Sequence, residues 1–573
     1  MRPMRHTTQD NRPFTGLRRF FFILGCFFIS ASFVSCGETE VHAFGWFDER
    51  GSRLAFSSPE IGSQAGQFSR QGEHARYTLA SPANLPEGYA VRLSFSASSG
   101  GIEFQVRCGD EKGKTSTMLC SIPTQGHFSF VVPCSTSNAL RWIEVKTLKI
   151  PQRSSDGQEG AAVEAVTEQK PPVSALSLQE IRFVPAMRGM RRTSEGLEIS
   201  PHFWFEMKDG RGYYEIRSPF EGLPPALMES MQLDVALDGD AGIATLFWGE
   251  RKLVYYHTRQ TSTFVVPASI FARVPANIRL VVDDALRVDN FSLVQGEHST
   301  ELACIDPGLL VYHAPLGESP YYLARWDLQP EVLIFLFKDY ATQDRYLKRL
   351  AFFVEKMGFV GRLAQDSEIT DQHGWNAHDY RPDDLARFFD TAAAQKFPLS
   401  TEERELEQIL IKEGIIVQKG SRFSAGKGAI VSIAQESPAY LQYRFLDHEL
   451  SHALFFTDSR YRDLVFSLYQ KLTDDEKWFF IRYFRWMRYN VDSSYLMANE
   501  MQAYLMQQPL KDLEPYFSDT LGERLAEDHP ELEDAIHEYM QLHLSALTTT
   551  AQQLSLYLEA SYGLEPGRLY RVR

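Results

Sequence analysis

The sequence has no surplus of basic charge. Its 573 residues carry 59 Lys+Arg against 74 Asp+Glu, a net charge of −15. Tracking a phosphate backbone needs a concentrated basic face, so nucleic acid is excluded as the main partner. Cysteine is scarce: six in all, with none of the close spacings of a cysteine-based metal site. Long apolar runs are missing as well. The stretch "FFFILGCFFISASFV" after Arg18-Arg19 falls short of the roughly twenty residues of a membrane-spanning helix. Between 40 and 300 there is no convincing long helical pattern. What is present is ample core material, 44% hydrophobic and 13% aromatic residues, in a chain long enough for three or four domains.

Two basic residues before a short apolar stretch read as a secretory signal. The stretch closes on "FVSC", Cys36, then Gly37. This resembles the bacterial lipoprotein processing site, in which the cysteine becomes the lipidated N-terminus, although Phe33 stands where leucine is usual. The resemblance implies that residues 1–36 are a lipoprotein signal, with Cys36 the point of lipidation. The chain is then exported and held by a lipid anchor on the cell envelope, on its periplasmic or surface side. Ordinary secretion and an uncleaved anchor remain open. Export permits disulfides. Outside the signal stand Cys108, Cys120, Cys134 and Cys304. Cys108 and Cys120 flank the turn-rich "GDEKGKTSTML" and are expected to pair.

Residues 40–300 alternate short apolar runs with Gly, Pro and Ser turns, the pattern of a β-sandwich. "YAVRLSFSAS" and "ANIRLVVDD" read as strands. The region repeats itself. Tyr77 with Ser81-Pro82 recurs as Tyr214 with Ser218-Pro219, Leu85-Pro86 as Leu223-Pro224, and "FVVP" ending at Pro133 as "FVVP" ending at Pro267. Each half closes on a strand, "EIRFVP" and "NFSLVQ". The polar segment 151–175 in the first half reads as a disordered insertion. The expectation is two tandem all-β sandwich domains, 40–188 and 189–300. They resemble jelly-roll modules, many of which bind carbohydrate or pack beside an exported enzyme. Trp46, Trp204 and Phe205 are candidates for glycan contact, with core burial the alternative.

After about 305 the texture changes. "EVLIFLFKDY" reads as a buried strand, and 341–358 has helical spacing with Gly358 at its end. "RPDDLARFFDTAAAQ" is a helix with Pro382 in its first turn. "STEERELEQILIKEG" opens with a capping box, Ser400 to Glu403. "GAIVSIAQES" is a strand, and long helices fill 438–573. The domain 305–573 is α+β and mostly helical.

Within it stands "FLDHELSHALFF". Four residues advance a helix by about 400°, so His448 and His452 face the same way and can share one cation. Glu449, about 100° away, lies beside that cation without being a ligand, where it would serve as a general base. With 15 His and 74 acidic residues in the chain, such a pattern is expected by chance on the order of 0.05 times. Phe445, Leu446, Leu450, Ala453 and Leu454 supply an apolar surface for burial.

HELSH resembles the zincin metallopeptidases. The family implies a third protein ligand, and two positions compete. Asp458 stands at the metzincin distance, but Phe455 occupies the glycine position of that motif. Glu500, in "YLMANEMQAYL", matches the later-helix glutamate of gluzincins, with "DDEKWFFIRYFRWMRYN" as an intervening helix. The thermolysin-type aspartate four residues after that glutamate is replaced by Tyr504, and Asp447 is a candidate substitute. The resemblance spans about 428–508 and implies Zn2+ on His448, His452 and Glu500, with Glu449 as base toward a zinc-activated water. It further implies a protein or peptide substrate, possible cell-wall peptide included, paired along strand 428–435. Tyr504, Tyr495 and His378 are candidates to stabilise the oxyanion. "DQHGWNAHDYRP", with His373, Trp375, His378 and Tyr380, is a candidate cleft wall. Two further classes stay open: a glycan- or protein-binding lipoprotein whose zincin domain does not cut, and a structural lipoprotein without metal. An intact Glu449 favours the enzyme, since a degenerate site has little reason to keep its base.

Overall fold

The computed structural model describes residues 44–573 except 58–65, 86–88, 133–138, 152–173, 195, 201–202, 218–229, 259–261, 273, 296–301 and 373. The signal with Cys36, most of the 151–175 insertion, and His373 therefore lie outside the described residues.

The front half is β-structure in which most strands alternate inward apolar and outward polar residues. In the first repeat the strands are β1 (His74–Ala83), β2 (Tyr89–Ala97), β3 (Ile102–Asp110), β4 (Thr115–Ile122), β5 (Gly126–Val132), β6 (Leu140–Lys149) and β7 (Leu176–Pro185). A hairpin follows, β8 (Met187–Thr193) and β9 (Gly196–Ile199), then β10 (Phe203–Lys208). The second repeat is β11 (Arg211–Arg217), β12 (Met231–Gly239), β13 (Gly242–Trp248), β14 (Arg251–His257), β15 (Ser262–Pro267), β16 (Asn277–Asp283) and β17 (Leu286–Gln295). In the first repeat β7-β2-β5 faces β1-β6-β3-β4; in the second, β17-β12-β15 faces β11-β16-β13-β14. The two strand orders correspond strand for strand. The matched tyrosines stand at equivalent places, Tyr77 opposite Ile143 and Tyr214 opposite Leu280.

The sandwiches are not separate at 188/189. Strand β8 pairs antiparallel with β17 of the second repeat, while β9 pairs parallel with β5 of the first. The hairpin thus joins both repeats into one ten-stranded sheet. Gly189 permits the crossing: its φ is 126°, and a Cβ there would meet the Phe291 carbonyl oxygen at 2.0 Å. A domain boundary drawn between 188 and 189 falls inside β8.

The expected Cys108–Cys120 bridge is not formed; both thiols are free and buried. The register gives the reason. Cys108 stands opposite Ser116 and Cys120 opposite Phe104. Four residues along a strand is roughly 13 Å, beyond the reach of about 7 Å between bridged Cα atoms. Trp46 is fully buried in the core of the first repeat, whereas Trp204 and Phe205 are each 40% exposed.

In the back half, β18 (Tyr321–Trp326), β19 (Gln329–Phe337), β20 (His378–Tyr380) and β21 (Ala429–Ala434) form a mixed sheet, with Cys304–Ile305 at one edge. Eight main helices are α1 (Tyr340–Val354), α2 (Pro382–Gln395), α3 (Thr401–Lys412), α4 (Ala439–Thr457), α5 (Ser459–Lys471), α6 (Asp474–Trp486), α7 (Ser494–Met506) and α8 (Leu544–Tyr562). The capping box at Ser400 and Glu403 is present. Strand β21 is not an edge: it pairs parallel with β19 and antiparallel with β20. The short strand β20 is the edge instead. Among the described residues no helix is long and apolar enough to cross a membrane.

The helical region shares a core with the second sandwich, running from Leu233 and Phe291 through Trp326 to Leu450 and Met501. Residues 569–573 tie the two together. The Leu569 N–H donates to Asp447 on α4 at 2.7 Å. Arg573 exchanges backbone hydrogen bonds with Val254 of β14. Buried Asp306 accepts from the N–H groups of Gly308, Arg571 and Val572 at 2.6–3.0 Å. Replacing Asp306 by alanine strands three buried donors. It is expected to cost about 3 kcal/mol, read as a lower urea midpoint at unchanged slope.

Candidate metal centre

Helix α4 begins after Pro438 and is buried almost all round in its second half, from Leu446 to Phe455. A helix so placed must satisfy or use every polar group it carries. Asp447 faces the 569–573 segment and takes the Leu569 N–H. It is a structural acceptor, so the expected supporting role toward the metal ligands is not what it does. Ser451 returns its hydroxyl to the Asp447 carbonyl at 2.7 Å. His448, Glu449 and His452 point into a cleft of about 450 Å³.

Helix α7 crosses α4 and delivers Glu500. Ser493 caps it, accepting from the Leu496 N–H, and Met497, Ala498, Met501 and Leu505 fix its rotation by burial. The two imidazole Nε2 atoms stand 3.1 Å apart. Glu500 places Oε2 3.8 Å from His448 Nε2 and Oε1 3.9 Å from His452 Nε2. Donors held about 2.0–2.2 Å from one tetrahedral ion stand roughly 3.3–3.5 Å apart, so the observed 3.1–3.9 Å fits a shared cation. Further support is chemical. Glu500 Oε2 is buried without a hydrogen-bond partner.

The structure also places residues that the sequence did not single out. Asp379, on β20, sits 3.9 Å from His452 Nε2 and shares a cluster with Glu449 and His452. Burial, then Asp379, pushes the Glu449 carboxyl well above its usual range. Burial, then Asp379 and Glu355, does the same to Glu500. Glu355 is raised to about 8, by burial first and Asp379 next. Burial, then His452, holds the His448 imidazole well below its ordinary value, so it is neutral at pH 7 and suited to ligation. The floor of the cleft is short of positive charge, and a divalent cation there would favour the ionised carboxylates and the neutral His448 alike.

The other expected residues distribute as follows. Tyr504 meets the His448 ring edge-on at 5.1 Å between centroids; it supports that imidazole. His378 lines the cleft, with Nδ1 2.9 Å from the Tyr380 hydroxyl. Strand alternation sends Asp379 the opposite way, toward α4. Tyr495 lies under Arg381, 4.6 Å from its guanidinium carbon, in a second cavity behind Glu500. Asp458 caps α5 and accepts from the hydroxyls of Tyr557 and Tyr562 at 2.7 Å, so it is committed elsewhere. Trp375 stacks on Tyr489 at 5.8 Å and, with Asn376, forms part of the cleft wall. The signal for Asp379 was in "HDY", where period-two alternation allows only one of His378 and Asp379 to face the helix.

No protein-family model matches the chain, and no curated protein matches it. Solved structures give weak likenesses. An allantoicase from Saccharomyces cerevisiae is 11% identical, covering 40% of this chain and 79% of that one, with a TM-score of 0.16. A Paenibacillus xanthan lyase is 8% identical, covering 44% and 26%, with a TM-score of 0.15. An oxalate decarboxylase from Bacillus subtilis is 10% identical, covering 43% and 74%, with a TM-score of 0.11. None of these carries an argument about this chain.

Removing a donor should separate ligands from neighbours. His452→Ala and Glu500→Ala are expected to lose a divalent cation on dialysis, whereas Asp458→Asn retains it. Metal analysis of the full chain, one ion per chain in the parent, reads the difference.

Proposed function

We propose that the protein is an exported, lipid-anchored, gluzincin-like zinc peptidase that hydrolyses peptide bonds in protein or cell-wall peptide. One observation carries the reading: His448, His452 and Glu500 converge in a single cleft with Glu449 beside them. Zinc held by those three residues would supply Lewis acidity, polarising a carbonyl and making a water acidic. The chain's own residues do the rest. With a cation's charge offsetting the burial and the Asp379 neighbour that otherwise keep Glu449 protonated, Glu449 would take the water's proton and pass it to the leaving nitrogen. Asp379 orients Glu449, and Tyr504 keeps the His448 ring in place. Tyr489, in the cleft wall beside Tyr504 and His378, joins those two as a candidate oxyanion donor.

A peptide substrate is supported by the sheet edge. Among the described residues β21 is the strand partner of β20, and an extended chain would add at the sheet edge that β20 forms. Export and anchoring rest on residues 1–36 and Cys36.

A second reading, a glycan-binding lipoprotein whose metal domain does not cut, is favoured by β10. There Phe203 and Phe205, with Tyr214 of the paired β11, stack at 6.0–6.5 Å, and Trp204 and Phe205 are exposed. Rings so displayed can stack on sugars.

The two readings part on Glu449→Gln. For the peptidase, this variant keeps its metal and loses about 10³-fold in hydrolysis of a casein-type substrate. Unchanged hydrolysis would remove Glu449 from the mechanism. No hydrolysis by the parent protein, with metal present, would leave the binding reading.

A further inference from the structure

The cleft is electrostatically two-ended. Its floor holds Glu355, Asp379, Glu449 and Glu500; its far end is lined by Arg444 and Arg524. Arg444 belongs to α4, four residues before His448 as His448 is four before His452, so the three side chains form a stripe on one helix face. One such step is about 6 Å along the axis. Arg524 comes from the helix Glu523–Asp528, which follows a π-helical stretch, Tyr516–Gly522. Wide turns of this kind occur often at functional sites, and this one brings Tyr516 and Arg524 into the cleft wall.

Both guanidiniums are held by aromatic faces. Arg444 lies 5.5 Å from the Tyr516 ring centroid, and Arg524 lies 5.0 Å from that of Trp486. Both line the same cleft beside Tyr516. Among the described residues neither has a carboxylate within 4.0 Å. The contrast is in the cavity behind Glu500. There Arg381 and Arg387 are both closed onto Asp384, at 2.7 and 3.0 Å. Two guanidiniums that line one cleft without an ion-pair partner are placed to share an anion. Guanidinium forks suit a planar carboxylate in particular. A substrate carboxylate is repelled by the floor and drawn to this end.

We propose that Arg444 and Arg524 form a carboxylate subsite, so that the cleft selects a peptide bearing an acidic group within about two residues of the bond at the metal centre, given roughly 3.3 Å per extended residue. The group is either an Asp or Glu side chain or a free α-carboxylate. The inference rests on the peptide reading of the cleft, and its test can fail separately from that reading.

The full-length Glu449→Gln protein is titrated with three labelled Ala-Gly peptides and binding is followed by fluorescence anisotropy. One peptide carries a Glu and an amidated C-terminus, one a Gln and a free carboxylate, and one a Gln and an amide. At least one carboxylate peptide should bind about tenfold tighter than the neutral one, and which one it is identifies the source of the anion. Adding Arg444→Gln and Arg524→Gln should bring its affinity down to that of the neutral peptide. Arg524→Gln alone, at an exposed position, should remove part of the preference while leaving the melting temperature unchanged. Equal binding of all three peptides, a preference that survives the double substitution, or no binding of either carboxylate peptide would overturn the subsite. Hydrolysis by the Glu449 parent, measured beside it, tests the peptidase reading independently. A carboxylate preference without hydrolysis keeps the subsite and removes the peptidase.

Discussion

Everything in the back half is arranged around charge kept out of water. Glu449, Glu500 and Asp379 lie together beside two imidazoles, and among the described residues the only ion-pair neighbours of Glu500 and Asp379 are those histidines. Carboxylates moved into such surroundings without a counter-charge cost several kcal/mol each and respond by holding their protons. That is the direction seen for Glu355, Glu449 and Glu500. A fold that pays this cost in one place needs rigid walls there. Helix α4 is buried on nearly every side, α7 packs across it, and β20 closes the third side.

Rigidity also comes from outside the helical region. Asp447, adjacent in sequence to His448, is held by the Leu569 N–H. The same segment continues to Asp306 and then along β14 of the second sandwich. The rotation of α4, and with it the direction of both imidazoles, is therefore fixed partly by contacts with a β-domain that contributes no ligand. The shared core running from Leu233 to Met501 makes the same connection through apolar packing.

How legible this was depends on the range of the interaction concerned. His448, Glu449 and His452 are set by a period within one helix, which a sequence displays directly. Glu500 was reachable through its place in a second helix and the Asn499-Glu500 phrase. The tandem strands were visible because the repeats preserve matched tyrosines and "FVVP" runs. What escaped were pairings between distant segments. The continuous apolar run of β21 is the mark of a strand buried on both sides, yet its second partner, β20, is three residues long and too short to show a period. With β20 unseen, Asp379 had no assigned direction. The hairpin β8–β9 was missed for a similar reason, since strand propensity does not reveal that its two strands serve different repeats. Cys108 and Cys120 are close in sequence, but strand register rather than loop length decides which residues meet.

The arrangement of β20 gives the cleft its polarity. Its alternation turns Asp379 toward Glu449 and His378 toward Tyr380, so one strand supplies both a charged floor and an uncharged wall. Among the described residues its strand partner is β21, which leads directly into α4. Sheet edge, helix stripe and crossing carboxylate thus share one frame. A shift in the register of β20 by a single residue would exchange Asp379 for His378 beside His452, and the floor of the cleft would lose the carboxylate that faces Glu449.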